Sequence, residues 1–378
     1  MSFSLLALVV LVSLLGPLLA GRASWHLPAV LGELLGGLLV GASGLRLLES
    51  SEPTFTVLAQ VGFALVMFVV GSNVPVRDAT VRRALRRGLV GAVLVGVLAA
   101  LAGIGLAAIF GTGHAALYGV VIASSSAALI LPIIASLKLL GVAQLTAQVA
   151  IADAVCIVAL PLAIDPARAA TTALGALAVI ASAVLVFFVL RQLDRDGFRK
   201  RIHHLSERRK FALELRINLL VLFGLAALAQ FAHVSVLLAG FALGLVVAAI
   251  GEPRRLARQL FGITEGFFGP LFFVWLGASI SLSKLGAHPA MILLGVCLGA
   301  AAILSHLFAR LVSQPLLLGV MAAGQLGVPV AAAALGTQLH LLRPGEDAAL
   351  LLGALLTIAA TTVAASLRAR RERVTFAA

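Results

Sequence analysis

Thirteen apolar stretches of about 20 residues recur along the chain, near 3–20, 27–44, 55–74, 88–110, 113–138, 141–163, 171–191, 213–231, 234–250, 263–282, 288–311, 315–340 and 346–367. A helix of that length crosses the ~30 Å hydrocarbon layer of a bilayer. None of the stretches shows the two-residue alternation of a membrane β-barrel. A backbone in hydrocarbon must satisfy its own hydrogen bonds, so the expected fold is an all-α polytopic membrane protein with 13 transmembrane helices. Composition agrees, at 61% hydrophobic and 11% charged residues, against roughly 45–50% and 25% in a soluble domain. The net charge of +13 does not point to nucleic acid, because the basic residues lie between apolar runs rather than on one soluble face. Cys156 and Cys297 both fall inside apolar runs and read as packing residues, with no disulfide framework, metal cluster or cofactor motif.

Lys and Arg collect on the cytoplasmic side of membrane proteins, which makes their distribution a test of topology. Loops after odd-numbered runs, together with the tail, hold 24 of the 28 basic residues; the other side has only Arg46, Arg168, Lys284 and Arg343. This places the N-terminus outside and the C-terminus in the cytoplasm of a cell (inner) membrane protein. The first run is preceded by Met1-Ser2-Phe3-Ser4, which lacks the basic region of a signal peptide. The seventh run and the basic loop 192–212 split the chain into six spans plus a linker span (1–191), six further spans (213–367) and a tail (368–378). In that loop, His203 and His204 are candidates for sensing cytoplasmic pH.

The two halves show internal correspondences. Leu65–Gly71 in the third run parallels Leu271–Gly277 in the tenth, and these runs point in opposite directions through the membrane. Polar or Gly/Pro interruptions also fall at matching places: Ser124, Ser125, Ser126 and then Pro132 in the fifth run, and Gly324, Gln325, Gly327 and Pro329 in the twelfth. Paired broken helices are a pointer to a transport site, because unwound backbone and half-helix ends can hold an ion. The expected architecture is therefore two inverted six-helix repeats with crossing broken helices.

One acid stands in the middle of the sixth run, in Ile151-Ala152-Asp153-Ala154. An acid at the bilayer centre costs about 2.5–3.5 kcal/mol on insertion scales and is generally there for function. With the hydroxyls of Ser124, Ser125 and Ser126, Asp153 makes an oxygen-rich set suited to a hard monovalent cation. Burial disfavours a carboxylate's charged form, so proton and cation can compete for the one site. His306, deep in the eleventh run, is the candidate counter-charge to Asp153. Gln325 lies in the second interruption, and Arg310, nearer the end of the eleventh run, is expected to snorkel to the interface. Glu33 reads as an entrance or interface residue, and Asn218 and Gln230 as interhelical hydrogen-bonding groups.

Several segments together resemble the monovalent cation:proton antiporters, in the branch of the Kef-type potassium efflux and NapA-like sodium/proton proteins. Pro28–Gly37 looks like the family's glycine-rich second span, Leu58–Gly71 is similar to its third-span signature, and Ala123–Pro132 resembles its broken-helix motif. Ala152-Asp153 falls where the family has its ion-binding acid. The resemblance implies an NhaA-like fold, a homodimer, and a core of spans four to six and eleven to thirteen. That core would move against spans one to three and eight to ten in elevator-like alternating access. It implies a secondary transporter, not an enzyme, which exchanges protons for Na+ or K+ in pH homeostasis; a non-coupled channel or a sensory relative of the same fold is the alternative. The chain departs from the family in having Ala152 where an Asp, Asn or Gln commonly precedes the acid, and His306 near the place where sodium-exchanging relatives carry Lys. A single acid favours one proton exchanged for one cation.

Overall fold

The computed structural model describes residues 1–21, 29–74, 77–195, 212–232, 234–251, 254–280 and 286–377. Most of the expected basic loop, with His203 and His204, lies outside the described residues, as do Arg22 and Lys284. Among the described residues every regular element is helical. The first half comprises α1 (Phe3–Ser13), α2 (Leu15–Ala20), α3 (Ala29–Val40), α4 (Pro53–Ser72), α5 (Ala79–Phe110), α6 (Ala115–Ala123), α7 (Ala127–Leu137) and α8 (Ala143–Ile164). It continues through α9 (Ala169–Arg195), α10 (Leu213–Phe231), α11 (Val236–Ile250), α12 (Arg254–Ile263) and α13 (Gly269–Ser279), the last two joined by a π-turn at Thr264–Phe268. The chain ends with α14 (Pro289–Leu307), a 3-10 turn at Phe308–Val312, α15 (Leu316–Ala322), α16 (Gly327–Gln338) and α17 (Glu346–Ala377).

Among the described residues eleven helical stretches are long and apolar enough to cross a membrane, and this is a multi-pass membrane protein. Two of the thirteen expected spans are occupied by shorter apolar helices, α3 and α11. Both contain glycines that pack by close backbone approach. Two other helices outrun their apolar stretch: α5 starts at Ala79 and α17 ends at Ala377. Their extra turns carry arginine, a good helix former that the hydropathy pattern alone does not register.

The chain forms two compact units, each drawn from both halves of the sequence. One comprises Met1–Val10, Ser51–Arg77 and Arg168–Phe273. Its centre is the pair α4 and α11. A Cβ on Gly240 would overlap the Ala64 carbonyl, and one on Gly244 the Phe68 carbonyl, so the two backbones touch where only glycine fits. Phe63 stacks on Phe272 with ring centroids 4.5 Å apart. Gln230 donates to Gln60 across helices at 3.1 Å, as the interhelical reading requires. Asn218 does not: its amide donates to the Glu214 carbonyl one turn back in its own helix, at 2.9 Å. A short amide reaches the i−4 carbonyl readily, which removes the need for a partner helix.

The other unit comprises Leu11–Ser50, Asp78–Ala167 and Val274–Ala378. In it α3 meets the end of α13 in the same manner: a Cβ on Gly37 would overlap the Val274 carbonyl, and one on Gly41 would overlap Ala278. Glu33 is buried in α3, beside Gly16 of α2. The long α5 lies along α8 and α6, with Gly88 against Ala147 and Gly103 against Ala115 and Gly119. At the start of α17, the fully buried Glu346 accepts from the Tyr118 hydroxyl at 2.6 Å and the Arg343 amide at 2.8 Å. His114 Nδ1 lies 2.6 Å from the same carboxylate, tying the beginning of α6 to that of α17.

Replacing Gly240 with Val is expected to cost about 1–3 kcal/mol through forced separation of α4 and α11. The loss should be read as a lower thermal midpoint of the detergent-solubilised protein, with Gly224→Val, where a Cβ meets nothing within 4 Å, as the unaffected control.

Candidate functional site

Both expected interruptions are real breaks. Between α6 and α7 the chain is non-helical at Ser124–Ser126, and between α15 and α16 at Ala323–Leu326. Pro132 lies inside α7 and does not make the break, which falls at the three serines upstream. Pro329 sits in the first turn of α16, where a missing amide hydrogen costs nothing, and Gly327 opens that helix. Ser124 Oγ folds back onto the Val121 carbonyl at 2.8 Å, a short-range bond that serine makes easily and that competes with helix continuation.

The two breaks hold each other. Ser126 donates its amide to the Gly324 carbonyl at 2.8 Å. Ser125 Oγ donates to the Ala322 carbonyl at 2.6 Å, and Gln325 Nε2 donates to the Ile122 carbonyl at 3.2 Å. Ser125 and Gln325 are 200 positions apart, and so are the two carbonyls that they reach, Ile122 and Ala322. These carbonyls belong to the last turns of α6 and α15, where four C=O groups per helix have no intrahelical partner. Each half-helix end is therefore capped by a side chain from the opposite break. Gly324 makes the approach possible, since a Cβ there would stand 2.6 Å from Thr361 Oγ1 and 3.0 Å from Leu129 Cδ2.

Asp153 is the eleventh residue of α8, about 15 Å along its axis, and is buried at 4% exposure. Its Oδ2 accepts the amide hydrogen of Ala127, the first residue of α7, at 2.9 Å. The carboxylate thus sits on the positive end of a half-helix dipole, an arrangement that stabilises negative charge. No cation approaches it within 4.0 Å among the described residues. In the other break the amide of Gln325, two residues ahead of α16, donates to Thr357 Oγ1 at 3.2 Å. Thr357 in turn donates to the Ala354 carbonyl at 2.8 Å. The start of α7 thus meets a carboxylate oxygen, and the amide of Gln325 in the other break a hydroxyl.

His306 is wholly buried at the same crossing, but it is not paired with Asp153. Its Nδ1 lies 2.8 Å from the Ala302 carbonyl, which can only accept, so that nitrogen carries a proton. Its Nε2 faces Ser125 Oγ at 3.3 Å. The expected counter-charge is displaced because the i−4 carbonyl of its own helix claims one nitrogen and turns the other toward the serine. Arg310 lies exposed in the 3-10 turn after α14. Of the residues singled out from sequence, Asp153, the three serines, Gly324, Gln325 and His306 meet at the crossing; Arg310 and Pro132 stand away from it.

Sequence reasoning missed Thr357 and Thr361, ordinary hydroxyls in an apolar helix. It also missed an amide cluster: Gln144 Nε2 donates to the Val312 carbonyl at 3.1 Å and reaches Gln314 Oε1 at 3.4 Å. Gln148, one turn further along α8, is buried against Gly91 with neither amide atom hydrogen-bonded among the described residues. The signal was the i, i+4 pair of glutamines on an otherwise apolar helix.

The family described as "Sodium/hydrogen exchanger, transmembrane" matches residues 9–369. The chain belongs to this family. YjbQ of Bacillus subtilis is 22% identical over 98% of this chain and 64% of its own length. The Na+/H+-K+ antiporter GerN of Bacillus cereus is 24% identical over 72% of this chain and 71% of its own. The glutathione-regulated potassium-efflux protein KefC of Cronobacter sakazakii is 28% identical over 71% of this chain but only 44% of its own. The chain thus spans less than two thirds of the length of some of these curated relatives. Its fold is that of the sodium proton antiporter MjNhaP1 from Methanocaldococcus jannaschii, with a TM-score of 0.66 at 17% identity and 97% of both chains covered. The named relatives are transporters, not enzymes.

Ser125→Ala is expected to cost about 1–3 kcal/mol by leaving the buried Ala322 carbonyl unpaired, with Ser125→Thr restoring most of it. Thermal unfolding in detergent checks this, and Gly324→Ala should lower the midpoint through its clash with Thr361.

Proposed function

We propose that the protein is a secondary antiporter that exchanges protons for a monovalent cation, Na+ or K+, by alternating access, with Asp153 binding proton or cation in turn. The observation that carries this is the buried carboxylate of Asp153 on the start of α7, beside two broken helices that cross. Antiporter relatives support the same reading. A deprotonated Asp153, steadied by the half-helix dipole, offers a second oxygen to a cation. Ser124 and Ser125 each donate their hydrogen to a carbonyl and so retain oxygen lone pairs for the same cation. When Asp153 is protonated, the cation loses its one charged ligand and leaves.

The proposed topology has thirteen crossings, N-terminus outside and C-terminus cytoplasmic, arranged as two inverted repeats. The reciprocal bonds at the crossing support the repeats, as do the glycine contacts of α11 on α4 and of α3 on α13. Gly240 and Gly244 lie 203 positions from Gly37 and Gly41, and their partners Ala64 and Phe68 lie 210 from Val274 and Ala278. The homodimer belongs to the same proposal, and its support is the family resemblance.

Asp153→Asn, which can neither release a proton nor present a charge, should reduce cation-dependent proton movement in proteoliposomes to background while elution on gel filtration is unchanged. Wild-type exchange by such a well-folded variant would sink the assignment. In the wild type, lowering the pH should raise the cation concentration needed for half-maximal rate, because the proton competes for the carboxylate. Cation flux that leaves pH unchanged would favour a channel instead.

A further inference from the structure

The first turns of α5 carry Arg82, Arg83, Arg86 and Arg87, all exposed. Spacing of four stacks Arg82 over Arg86 and Arg83 over Arg87, a register in which like charges repel and weaken a helix. None of the four has an acid within 4.0 Å among the described residues. The nearest acid in sequence, Asp78, gives its carboxylate to the Thr80 and Val81 amides at 2.7 and 3.3 Å. Arg368, toward the end of α17, is placed differently: it pairs with Glu372 at 2.8 Å, and Glu372 also accepts from the Leu140 amide. Among the described residues the α5 cluster is positive charge with no acidic partner, open to a ligand of opposite charge.

Geometry indicates what that is. Helix α5 has 32 residues, about 48 Å at 1.5 Å each, which exceeds the ~30 Å of hydrocarbon. Gly88 is level with Ala147 of α8, so α5 starts about 7 Å further out than α8 does. Following Arg82 and Arg86 up the same face come Leu89, Val93, Val97, Leu101 and Ile104, all between 51% and 62% exposed. An uncovered apolar stripe thus runs without interruption into a group of unpaired guanidinium groups, and this matches a lipid with acyl chains at one end and a phosphate at the other. Arginine forks bind phosphate oxygens bidentately, and anionic lipids attract basic residues at the membrane surface by about 1 kcal/mol each, roughly fivefold in affinity.

We propose that this end of α5 is a binding site for an anionic phospholipid, with Arg82, Arg83, Arg86 and Arg87 holding its headgroup phosphate and the Leu89-to-Ile104 stripe its acyl chains. The site rests on the membrane reading and is independent of whether Asp153 exchanges ions.

The test uses the full chain in detergent, titrated with phosphatidylglycerol, with phosphatidylcholine or with inorganic phosphate. Retained lipid is read by native mass spectrometry and stability by thermal midpoint. Phosphatidylglycerol should be retained in preference to phosphatidylcholine and should raise the midpoint, whereas inorganic phosphate should do neither. Replacing all four arginines by Gln should abolish the preference. The milder pair Arg83→Gln with Arg87→Gln should weaken it about 25-fold, at fivefold per residue, and serves if the quadruple variant fails to fold. Undiminished phosphatidylglycerol retention by either folded variant, or a midpoint shift with phosphate alone, would overturn the proposal.

Discussion

A backbone that leaves its helix in the middle of a membrane must find other partners for its amides and carbonyls, because hydrocarbon supplies none. Here two such interruptions satisfy each other. Ser125 caps the end of α15, Gln325 caps the end of α6, and Ser126 bonds directly to Gly324. Neither break is tenable without the other. The neighbouring helices are arranged around this requirement: α8 brings Asp153 to the start of α7, and α17 brings Thr357 and Thr361 to the other break. Function grows out of the same constraint, because the leftover helix ends that need capping are also the fixed dipoles that position charge.

Much of this was legible in the sequence, and the legible parts share a cause. Ser124–Ser126 and Gly324–Gly327 stand out because polar and flexible residues are conspicuous against an apolar helix, and Asp153 because its charge is expensive there. What could not be read were relations between side chains and distant backbone. That Gln325 reaches Ile122, that Thr357 takes the Gln325 amide, and that His306 turns to Ser125 all depend on which helices pass each other. Periodicity in one helix carries no such information. Pro132 drew attention as a helix breaker, yet proline inside a membrane helix is compatible with continuity when neighbours satisfy the freed carbonyl.

The short helices α3 and α11 show the same limit from another side. Hydropathy measures how much apolar chain is present, whereas the length of regular helix depends on where the ends are packed. Gly37, Gly41, Gly240 and Gly244 bring backbones into contact, so these helices are held by neighbours along much of their length. Their glycines read in the sequence as general small-residue packing; the partners Val274, Ala278, Ala64 and Phe68 emerged only from the fold.

The unequal ends of the crossing have an electrical consequence. Asp153 meets the start of α7, whereas in the other break the Gln325 amide meets only the neutral Thr357, so these two partners bring a single acidic group to the crossing. In the proposed exchange a proton and a monovalent cation cancel that charge equally well, and both loaded forms are neutral. The membrane voltage, which does about 2.3 kcal/mol of work on each net charge per 100 mV, then has nothing to act upon. The two ion gradients alone would set the direction of transport.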